Sequence, residues 1–142
     1  MSLLTKEEIK SILPHREPFL FVDEVIELIE KERCVALKHV REDEYYFKGH
    51  FPTYPVMPGV LILETMAQVG ALTLLTLPQF KGKIGLFTGA NKVKWRKQVL
   101  PNQTLKIETK IIKLKGVFGF AKAYAYVDDA LACEAEISFA IQ

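Results

Sequence analysis

A long apolar segment in the middle of the chain constrains the fold more than any other feature. It spans residues 58–77, PGVLILETMAQVGALTLLTL, and Pro78 follows it. Proline suits the first position of a helix, because the N–H that it lacks has no intrahelical acceptor there, so we expect a helix from Pro58 to about residue 77. Such a helix of about 20 residues would be about 30 Å long. A helix that is apolar on nearly every side is buried on most of them.

Segments with strand patterns precede and follow this helix in the sequence, and they can form the sheet that buries it. Residues 18–29 and 31–40 are rich in strand-forming side chains. The second half of the chain has four further segments of strand character: 84–97, 104–114, 117–127 and 130–141. We expect a turn at Asp128–Asp129 and a bulge at Ile111–Ile112. One buried helix followed by antiparallel strands predicts an α+β fold, in which a curved sheet wraps the helix and a partner subunit lies beside it.

The composition is that of a globular protein. The chain has 142 residues, of which 49% are hydrophobic and 25% charged, and no repeat or linker divides it. We therefore predict a single domain over residues 1–142. The formal net charge of +2 is too small to favour nucleic-acid binding. Cys34 and Cys133 form no metal-ligand cluster and fall in apolar-alternating stretches, which predicts buried free thiols, no metal site and a reducing, cytoplasmic location.

Neither the N-terminal residues nor the apolar segment 60–77 favours association of the chain with a membrane. The N-terminal residues MSLLTKEEIK lack the apolar core and small-residue cleavage site of a secretory signal. Residues 60–77 are the only candidate span, but they contain Glu64, Gln68 and three threonines. Ionisable groups are expensive in lipid, so we expect a helix buried in a protein core and no membrane insertion.

The carboxyl group of Glu64 is the chemical anomaly of the apolar segment. Apolar surroundings favour the neutral form of a carboxyl group, which raises its pKa and keeps it protonated near neutral pH. His50 precedes it in the proline-rich stretch GHFPTYPVMPG, and a histidine is poised to act as a base near pH 7. Gln68, one helical turn after Glu64, lies on the same helix face and can orient it by a hydrogen bond. The sequence thus offers a base and an acid.

Gly59 adds a group that can polarise a carbonyl. It falls in the first turn of the predicted helix, where backbone N–H groups lack acceptors and the positive end of the dipole points outward. With no side chain, it lets a substrate carbonyl approach closely. A base, an acid and a polarised carbonyl are what elimination of water from a β-hydroxy carbonyl compound requires. Structural roles also suit these residues, since histidine in a proline-rich loop is often structural and a buried glutamate can bond a backbone group.

Two segments are similar to the signature motifs of one enzyme family. GHFPTYPVMPGVLILETMAQ, residues 49–68, resembles the signature of the FabZ-type (3R)-hydroxyacyl-[acyl-carrier-protein] dehydratases, and ILPHREPFLFVDEV, residues 12–25, resembles their second signature. The similarity runs over essentially the whole chain. It implies the hot-dog fold, a curved antiparallel sheet wrapped around a long central helix. It also implies homodimers whose sheets join, commonly assembled as trimers of dimers.

The resemblance also implies roles for individual residues. His50 would be the catalytic histidine and Glu64 the catalytic carboxylate, and the two would meet across the dimer interface, one from each subunit. Gly59 would supply an N–H to the thioester carbonyl, and Val56 the backbone carbonyl that orients the histidine. The implied reaction converts (3R)-3-hydroxyacyl thioesters on acyl carrier protein to trans-2-enoyl thioesters in fatty-acid synthesis. It needs no metal and no cofactor beyond the phosphopantetheine arm that carries the substrate.

Other activities stay open on the same fold. The related FabA-type enzymes also isomerise the double bond to the cis-3 position, and they usually have aspartate where this chain has Glu64. Glu64 therefore favours the FabZ type without excluding isomerisation. An acyl thioesterase and a non-catalytic acyl-binding module are further alternatives, although a binding module need not retain both His50 and Glu64.

Residues near these motifs suggest how a carrier protein would dock. A candidate docking surface consists of four basic residues, Lys92, Lys94, Arg96 and Lys97. They also fit a plain solvated strand face, but the resemblance favours contact with the acidic carrier protein and the phosphate of its arm. The chain departs from the family pattern in QVLPNQ at residues 98–103, which concerns the shape of that loop. It also has Thr53–Tyr54 where family members often have glycine, and these larger side chains would narrow the opening of the site. His15 and Arg16 are predicted to fix the N-terminal loop rather than to do chemistry.

Overall fold

A computed structural model describes residues 2–142 and shows two α-helices and six β-strands. In chain order they are α1 Lys6–Lys10, β1 Glu24–Ile29, β2 Arg33–His39, α2 Gly59–Leu75, β3 Gly85–Trp95, β4 Thr104–Lys115, β5 Phe118–Val127 and β6 Ala130–Ile141. Short 3-10 helices occur at Tyr45–Lys48 and Pro78–Phe80. The first of these lies inside the proline-rich connection that leads from β2 to α2.

The six strands form one sheet in the order β1-β2-β4-β5-β6-β3, and every neighbouring pair is antiparallel. The long helix α2 packs against β2, β3, β4, β5 and β6. This arrangement confirms the α+β prediction and the central helix of the hot-dog fold. β1 and β3 are the two edges of the sheet. The edge β3 is long and carries the exposed apolar side chains Leu86, Phe87 and Trp95.

The helix α2 is somewhat shorter than the sequence predicted. Pro58 is its N-cap rather than its first residue, because the backbone of Pro58 is still extended, with ψ of 133°. At the other end Thr76 is the C-cap, and Leu77 has left the helical conformation, with ψ of 141°. The ring of Pro78 disfavours the helical conformation for the residue before it, which explains why the helix stops early.

The sequence prediction of a strand over residues 18–29 is wrong for its first half. Only Glu24–Ile29 pairs as a strand. The backbone N–H of Phe21 instead donates to the side chain of Gln68 on α2, at 2.9 Å. Phe19 and Phe21 thus bond to a helix side chain, whereas the N–H of Asp23, next to β1, already donates to Leu37 on β2 at 2.9 Å. The contact with Gln68 lies far outside any local sequence pattern.

Local signals in the second half of the chain are confirmed. The pairing of β4 with β5 shifts register between Ile111 and Lys113, which is the predicted bulge. Asp128 and Asp129 join β5 to β6 with positive φ angles of 49° and 65°. Positive φ at both central residues is the geometry of a tight two-residue hairpin, which asparagine, aspartate and glycine favour.

The core lies between α2 and the sheet, and the helix is packed closely enough to require glycine. A Cβ atom on Gly70 would lie 2.5 Å from Cζ of Phe139, so the ring of Phe139 on β6 occupies the space beside the helix backbone. Cys34 and Cys133 are both buried and unpaired, as predicted. Burial raises the pKa of the Cys34 thiol to about 12 and that of Cys133 to about 11, so both stay protonated and unreactive near neutral pH.

Candidate active site

His50 is held by the proline-rich loop that leads into α2. Its Nδ1 atom lies 2.8 Å from the carbonyl oxygen of Val56, and the N–H of Val56 donates to the carbonyl oxygen of His50 at 3.0 Å. A carbonyl oxygen can only accept, so Nδ1 carries the proton in this contact. The Nε2 atom of the neutral imidazole therefore keeps a lone pair that can accept a proton. The contact that the resemblance implied for Val56 is present.

The loop around His50 is tied to itself and to the segment after β3. Phe51 and Tyr54 exchange two backbone hydrogen bonds of 3.0 and 3.1 Å, and the Phe51 ring stacks on the His50 ring at 4.1 Å. Met57 N–H donates to Val99 at 2.8 Å, and the Tyr54 hydroxyl donates to Gln98 Oε1 at 2.5 Å. Tyr54 thus bonds to Gln98, a residue that lines a cavity beside His50, and the narrowing of its opening stays a prediction.

Gly59 begins α2, and the indole of Trp95 lies against it. Trp95 Nε1 donates to the carbonyl oxygen of Gly59 at 2.9 Å. A Cβ atom on Gly59 would lie 2.7 Å from the same nitrogen, so the indole leaves no room for a side chain. As the first residue of the helix, Gly59 has no intrahelical acceptor for its N–H. The sequence explained this glycine by the approach of a substrate, whereas the contact present in the chain is with Trp95.

These groups surround one cavity of about 370 Å³. His50, Val56, Gly59, Trp95, Arg96 and Lys97 are among the residues that line it. The cavity therefore contains a base, a helix N-terminus and two cationic side chains. It does not contain Glu64.

Glu64 lies on α2 with its side chain 19% exposed. Burial raises the pKa of its carboxyl group, and a hydrogen bond from Gln68 opposes this rise in part. Gln68 Nε2 donates to Glu64 Oε2 at 3.1 Å, the contact that the helical spacing predicted. The direction of the pKa shift favours the protonated acid closer to neutral pH than in a solvated glutamate.

The amide of Gln68 is fixed by the loop before β1. Gln68 is 1% exposed, its Oε1 atom accepts from Phe21 N–H at 2.9 Å, and its Nε2 atom donates to the Phe19 carbonyl at 2.8 Å. The second Nε2 hydrogen is the one directed to Glu64. Three hydrogen bonds thus determine which way the amide faces, and Gln68 presents a donor to the carboxyl group.

Glu64 lines a second cavity, of about 190 Å³, together with His15, Ala67, Leu86, Phe87 and Phe139. His50 is not part of it. Within one chain the structure brings His50 together with Val56 and Gly59, and Glu64 together with Gln68. It does not join these two sets in a single cavity.

The four basic residues of the candidate docking surface do not line a single cavity. Arg96 and Lys97 line the His50 cavity, whereas Lys92 lines a different depression beside Lys122. Lys92 has a positive φ of 51° where β3 shifts register, so the strand alternation is interrupted there. Arg96 pairs with Glu134 at 2.6 Å, and Lys92 lies 4.0 Å from Glu136. A docking role for Lys92, Lys94, Arg96 and Lys97 stays a prediction.

Sequence reasoning assigned no site role to His15 or Trp95. Arg16 does fix the N-terminal loop, because it donates to the carbonyl oxygens of Lys10, Leu13 and His15. His15 itself faces Glu64, with 3.7 Å between His15 Nε2 and Glu64 Oε2. In the sequence, the motif LPHREPF could have drawn attention to His15. No local pattern predicts that Trp95 lies beside Gly59.

Among residues 2–142, no three histidine, cysteine, aspartate or glutamate side chains cluster in a way that would bind a metal ion. In the same described part of the chain, no helix combines the length and apolarity that a membrane span requires.

Comparison with known proteins identifies the family. The model of the FabA-like domain matches residues 13–136. A 3-hydroxyacyl-[acyl-carrier-protein] dehydratase FabZ from Desulforamulus reducens is 51% identical over 139 residues, which cover 98% of this chain and 98% of that protein. A protein of the same name from Clostridium perfringens is 55% identical over 139 residues, 98% of this chain and 99% of that one.

A solved structure supports the fold independently. A chain of the dehydratase heterocomplex ApeI:P from Xenorhabdus doucetiae superposes with a TM-score of 0.79 at 15% identity, covering 94% of this chain and 90% of that one. At this identity the likeness concerns the fold alone. The family match and the two full-length relatives go further: the chain belongs to the FabA-like family and, within it, to the FabZ-type 3-hydroxyacyl-[acyl-carrier-protein] dehydratases.

Proposed function

We propose that this chain dehydrates (3R)-3-hydroxyacyl thioesters on acyl carrier protein to trans-2-enoyl thioesters, in the elongation cycle of fatty-acid synthesis. His50 Nε2 removes the α-proton while the Gly59 N–H stabilises the charge on the thioester oxygen. The bond from the β-carbon to the hydroxyl oxygen breaks, the carbon–carbon double bond forms, and Glu64 protonates the departing hydroxyl to give water. Transfer of one proton from His50 to Glu64 restores the enzyme.

The separate placement of His50 and Glu64 is the observation that carries this proposal. Each residue is prepared for its role by its own surroundings: the Val56 carbonyl holds His50 in the tautomer with a free Nε2, and burial favours the acid form of Glu64. Neither cavity by itself contains both His50 and Glu64. A complete site therefore requires groups from a second copy of the chain.

The edge strand β3 supplies a way to join the two cavities. Trp95, at its end, lines the His50 cavity, and Gly85, Leu86 and Phe87, at its start, line the Glu64 cavity. If β3 pairs antiparallel with β3 of a second copy about a two-fold axis, the end of one strand lies beside the start of the other. His50 of one subunit then faces Glu64 of its partner. Exposed apolar side chains on this unpaired edge support the pairing.

We therefore infer a homodimer with two shared active sites. Assembly of three dimers stays a prediction from the family resemblance. The names of the FabZ relatives include acyl carrier protein, which supports this protein as the carrier of the substrate. Arg96 and Lys97, which line the His50 cavity, are cationic groups that can bind the phosphate of the phosphopantetheine arm. The proposed acid–base chemistry needs no metal or other cofactor. Dehydration of substrates that are bound to acyl carrier protein also agrees with the cytoplasmic location that the sequence predicts.

The test is hydration of a crotonyl thioester, the reverse reaction, by the unmodified chain and by His50→Ala and Glu64→Gln. We expect each substitution to lower kcat at least about a hundredfold, the usual contribution of a general acid or base. Equal rates in all three proteins would end the proposal. With a ten-carbon 3-hydroxyacyl substrate we expect the trans-2-enoyl product, and formation of the cis-3-enoyl product would show that the chain is also an isomerase.

A mixture of the two inactive variants tests the shared site. Subunit exchange forms heterodimers in which one of the two sites has both an intact His50 and an intact Glu64. We expect such heterodimers to regain about half of the activity of the unmodified dimer, which follows from restoring one of its two sites. Exchange shown by mass spectrometry without recovery of activity would contradict a site shared between subunits.

A further inference from the structure

His15 is a half-buried histidine without an assigned role, and it lies beside the carboxyl group of Glu64. It lies in the loop between α1 and β1, its side chain is 18% exposed, and its Nε2 atom is 3.7 Å from Glu64 Oε2. Its Nδ1 atom is buried and has no hydrogen-bond partner among residues 2–142. A structural histidine in such a position normally satisfies its buried nitrogen, so the free Nδ1 calls for an explanation.

The burial of Nδ1 determines the form of the ring. A protonated imidazole, or a neutral one with hydrogen on Nδ1, would leave a buried N–H without an acceptor. The tautomer with hydrogen on Nε2 leaves only a lone pair unpartnered, which is the less costly of these outcomes. Burial also lowers the pKa of His15, which favours the neutral ring. His15 therefore presents a neutral Nε2–H to Glu64.

The side-chain nitrogens of Gln68 and His15 lie near the same oxygen of Glu64, the first within hydrogen-bond distance and the second beyond it. Gln68 Nε2 lies 3.1 Å from Oε2, and His15 Nε2 lies 3.7 Å from that atom. In a protonated carboxyl group one oxygen is a carbonyl, which accepts, and the other carries the hydrogen. Donors on Oε2 favour the form in which the hydrogen is on Oε1.

We propose that His15 is a positioning residue, whose Nε2–H donates to Glu64 Oε2 and so directs the acid proton of Glu64 to Oε1. This inference rests on the proposed role of Glu64 as the acid. When Oε1–H gives its proton to the departing hydroxyl, the electrons of that bond remain on the carboxylate, and His15 stabilises the charge that develops. The distance of 3.7 Å in the resting chain shortens as this charge forms, because donors bind a carboxylate more strongly than a neutral carbonyl.

The neutral state of the donor matters for the acid. A cation at this distance would favour the carboxylate and leave Glu64 without its proton near neutral pH. The remaining residues that line the cavity come from α2, β3 and β6 and carry no ionisable group. In the proposed dimer, His50 of the partner subunit is the further titratable group that faces Glu64.

Three substitutions distinguish the loss of the Nε2–H donor from the loss of the volume of the imidazole ring. His15→Gln places an amide N–H near the position of Nε2, His15→Asn has a shorter side chain that does not reach it, and His15→Leu has no donor. We expect His15→Leu and His15→Asn to lower kcat about tenfold with little change in KM, the effect of losing one hydrogen bond to a developing charge. His15→Gln is expected to retain most of the activity.

The pKa of Glu64 provides a measurement independent of turnover. It is followed by ¹³C NMR of protein labelled at the glutamate carboxyl carbons, and the Glu64 signal is assigned by its absence in Glu64→Gln. Loss of the donor destabilises the carboxylate, so the pKa of Glu64 should rise in His15→Leu and His15→Asn and return in His15→Gln. His39, an exposed histidine whose Nε2 lies 2.6 Å from Glu24, is the matched control, and His39→Gln should leave both the Glu64 pKa and kcat unchanged.

The two measurements distinguish the two proposals. An unchanged pKa of Glu64 in both His15→Leu and His15→Asn, or a His15→Gln protein as impaired as His15→Leu, would overturn the positioning role. Failure of the unmodified chain to hydrate a crotonyl thioester would instead overturn the proposed function. The NMR titration would still report on the contact between His15 and Glu64 in that case.

Discussion

Trp95 Nε1 donates a hydrogen bond to the carbonyl oxygen of Gly59, and the same nitrogen would lie 2.7 Å from a Cβ atom at position 59. The edge strand β3 and the N-terminus of α2 are thereby joined beside the cavity that contains His50. Strand and helix cannot be changed independently at this point, because a side chain on residue 59 must displace the indole.

We therefore predict that Gly59→Ala moves Trp95. Trp95 is the only tryptophan of the chain, so the tryptophan fluorescence comes from this indole alone. The emission maximum should shift, and kcat for hydration should fall, because the indole and the N–H of residue 59 are both displaced. Gly49→Ala is the control, since a Cβ atom at Gly49 would meet nothing within 4 Å. Identical emission spectra for Gly59→Ala and the unmodified chain would contradict the prediction.

The raised pKa of Glu64 predicts how stability depends on pH. Burial places the folded pKa above the ordinary value of 4.5, so the folded state retains this proton longer than the unfolded state does. The contribution of Glu64 to stability is full below pH 4.5 and is lost as pH rises through the folded pKa. Relative to the unmodified chain, Glu64→Gln should therefore gain free energy of unfolding as pH rises through that interval. The measurement is urea unfolding at a fixed protein concentration.

Glu24 supplies a control of opposite sign. Hydrogen bonds from Ser2 and His39 lower the pKa of the Glu24 carboxyl, so its contribution is present above the unfolded pKa and lost as pH falls. Glu24→Gln should therefore lose stability relative to the unmodified chain as pH rises. If the two substitutions change stability in the same direction with pH, the assignment of the Glu64 shift is wrong.

The contact between Gly70 and Phe139 predicts a cost in stability. Gly70→Ala would bring Cβ to 2.5 Å from the Phe139 ring, and overpacking of this kind costs about 1–3 kcal/mol. Phe139→Leu leaves a cavity of its own, but it also makes room beside Gly70. The double substitution should be more stable than the sum of the two single effects, as measured by urea unfolding in a double-mutant cycle. Strict additivity would show that the two residues do not conflict.

The exposed edge of β3 predicts how the subunits associate. Leu86→Arg places a charge on the strand that we propose to pair with its copy, so sedimentation should show monomers. Activity should be lost with the dimer, because the site is then incomplete. Ile112→Arg on β4, also an exposed apolar position but on a strand paired on both sides, should leave the dimer and its activity intact. An active monomer of Leu86→Arg would refute the shared site.

Much of the fold was accessible from local patterns, because the residues that produce each pattern are close in sequence. The apolar run with proline at both ends predicted α2, and the alternation in the second half predicted β3 to β6. The prediction of a strand over residues 18–23 failed because the contact that determines this segment is distant in sequence. Its backbone bonds to Gln68, a partner 47 residues away from Phe21, and no window of sequence contains both.

The sequence by itself determined the chemical groups: an acid within an apolar helix, a histidine in a rigid proline-rich loop and a glycine at a helix start. Only the tertiary structure decided how they are grouped, because a cavity is formed by side chains from distant elements. It placed His50 and Glu64 in different cavities, put Trp95 against Gly59, and brought His15 to the carboxyl group that Gln68 orients. Spacing along the chain predicts which residues share a helix face, but it does not predict which faces of the protein meet.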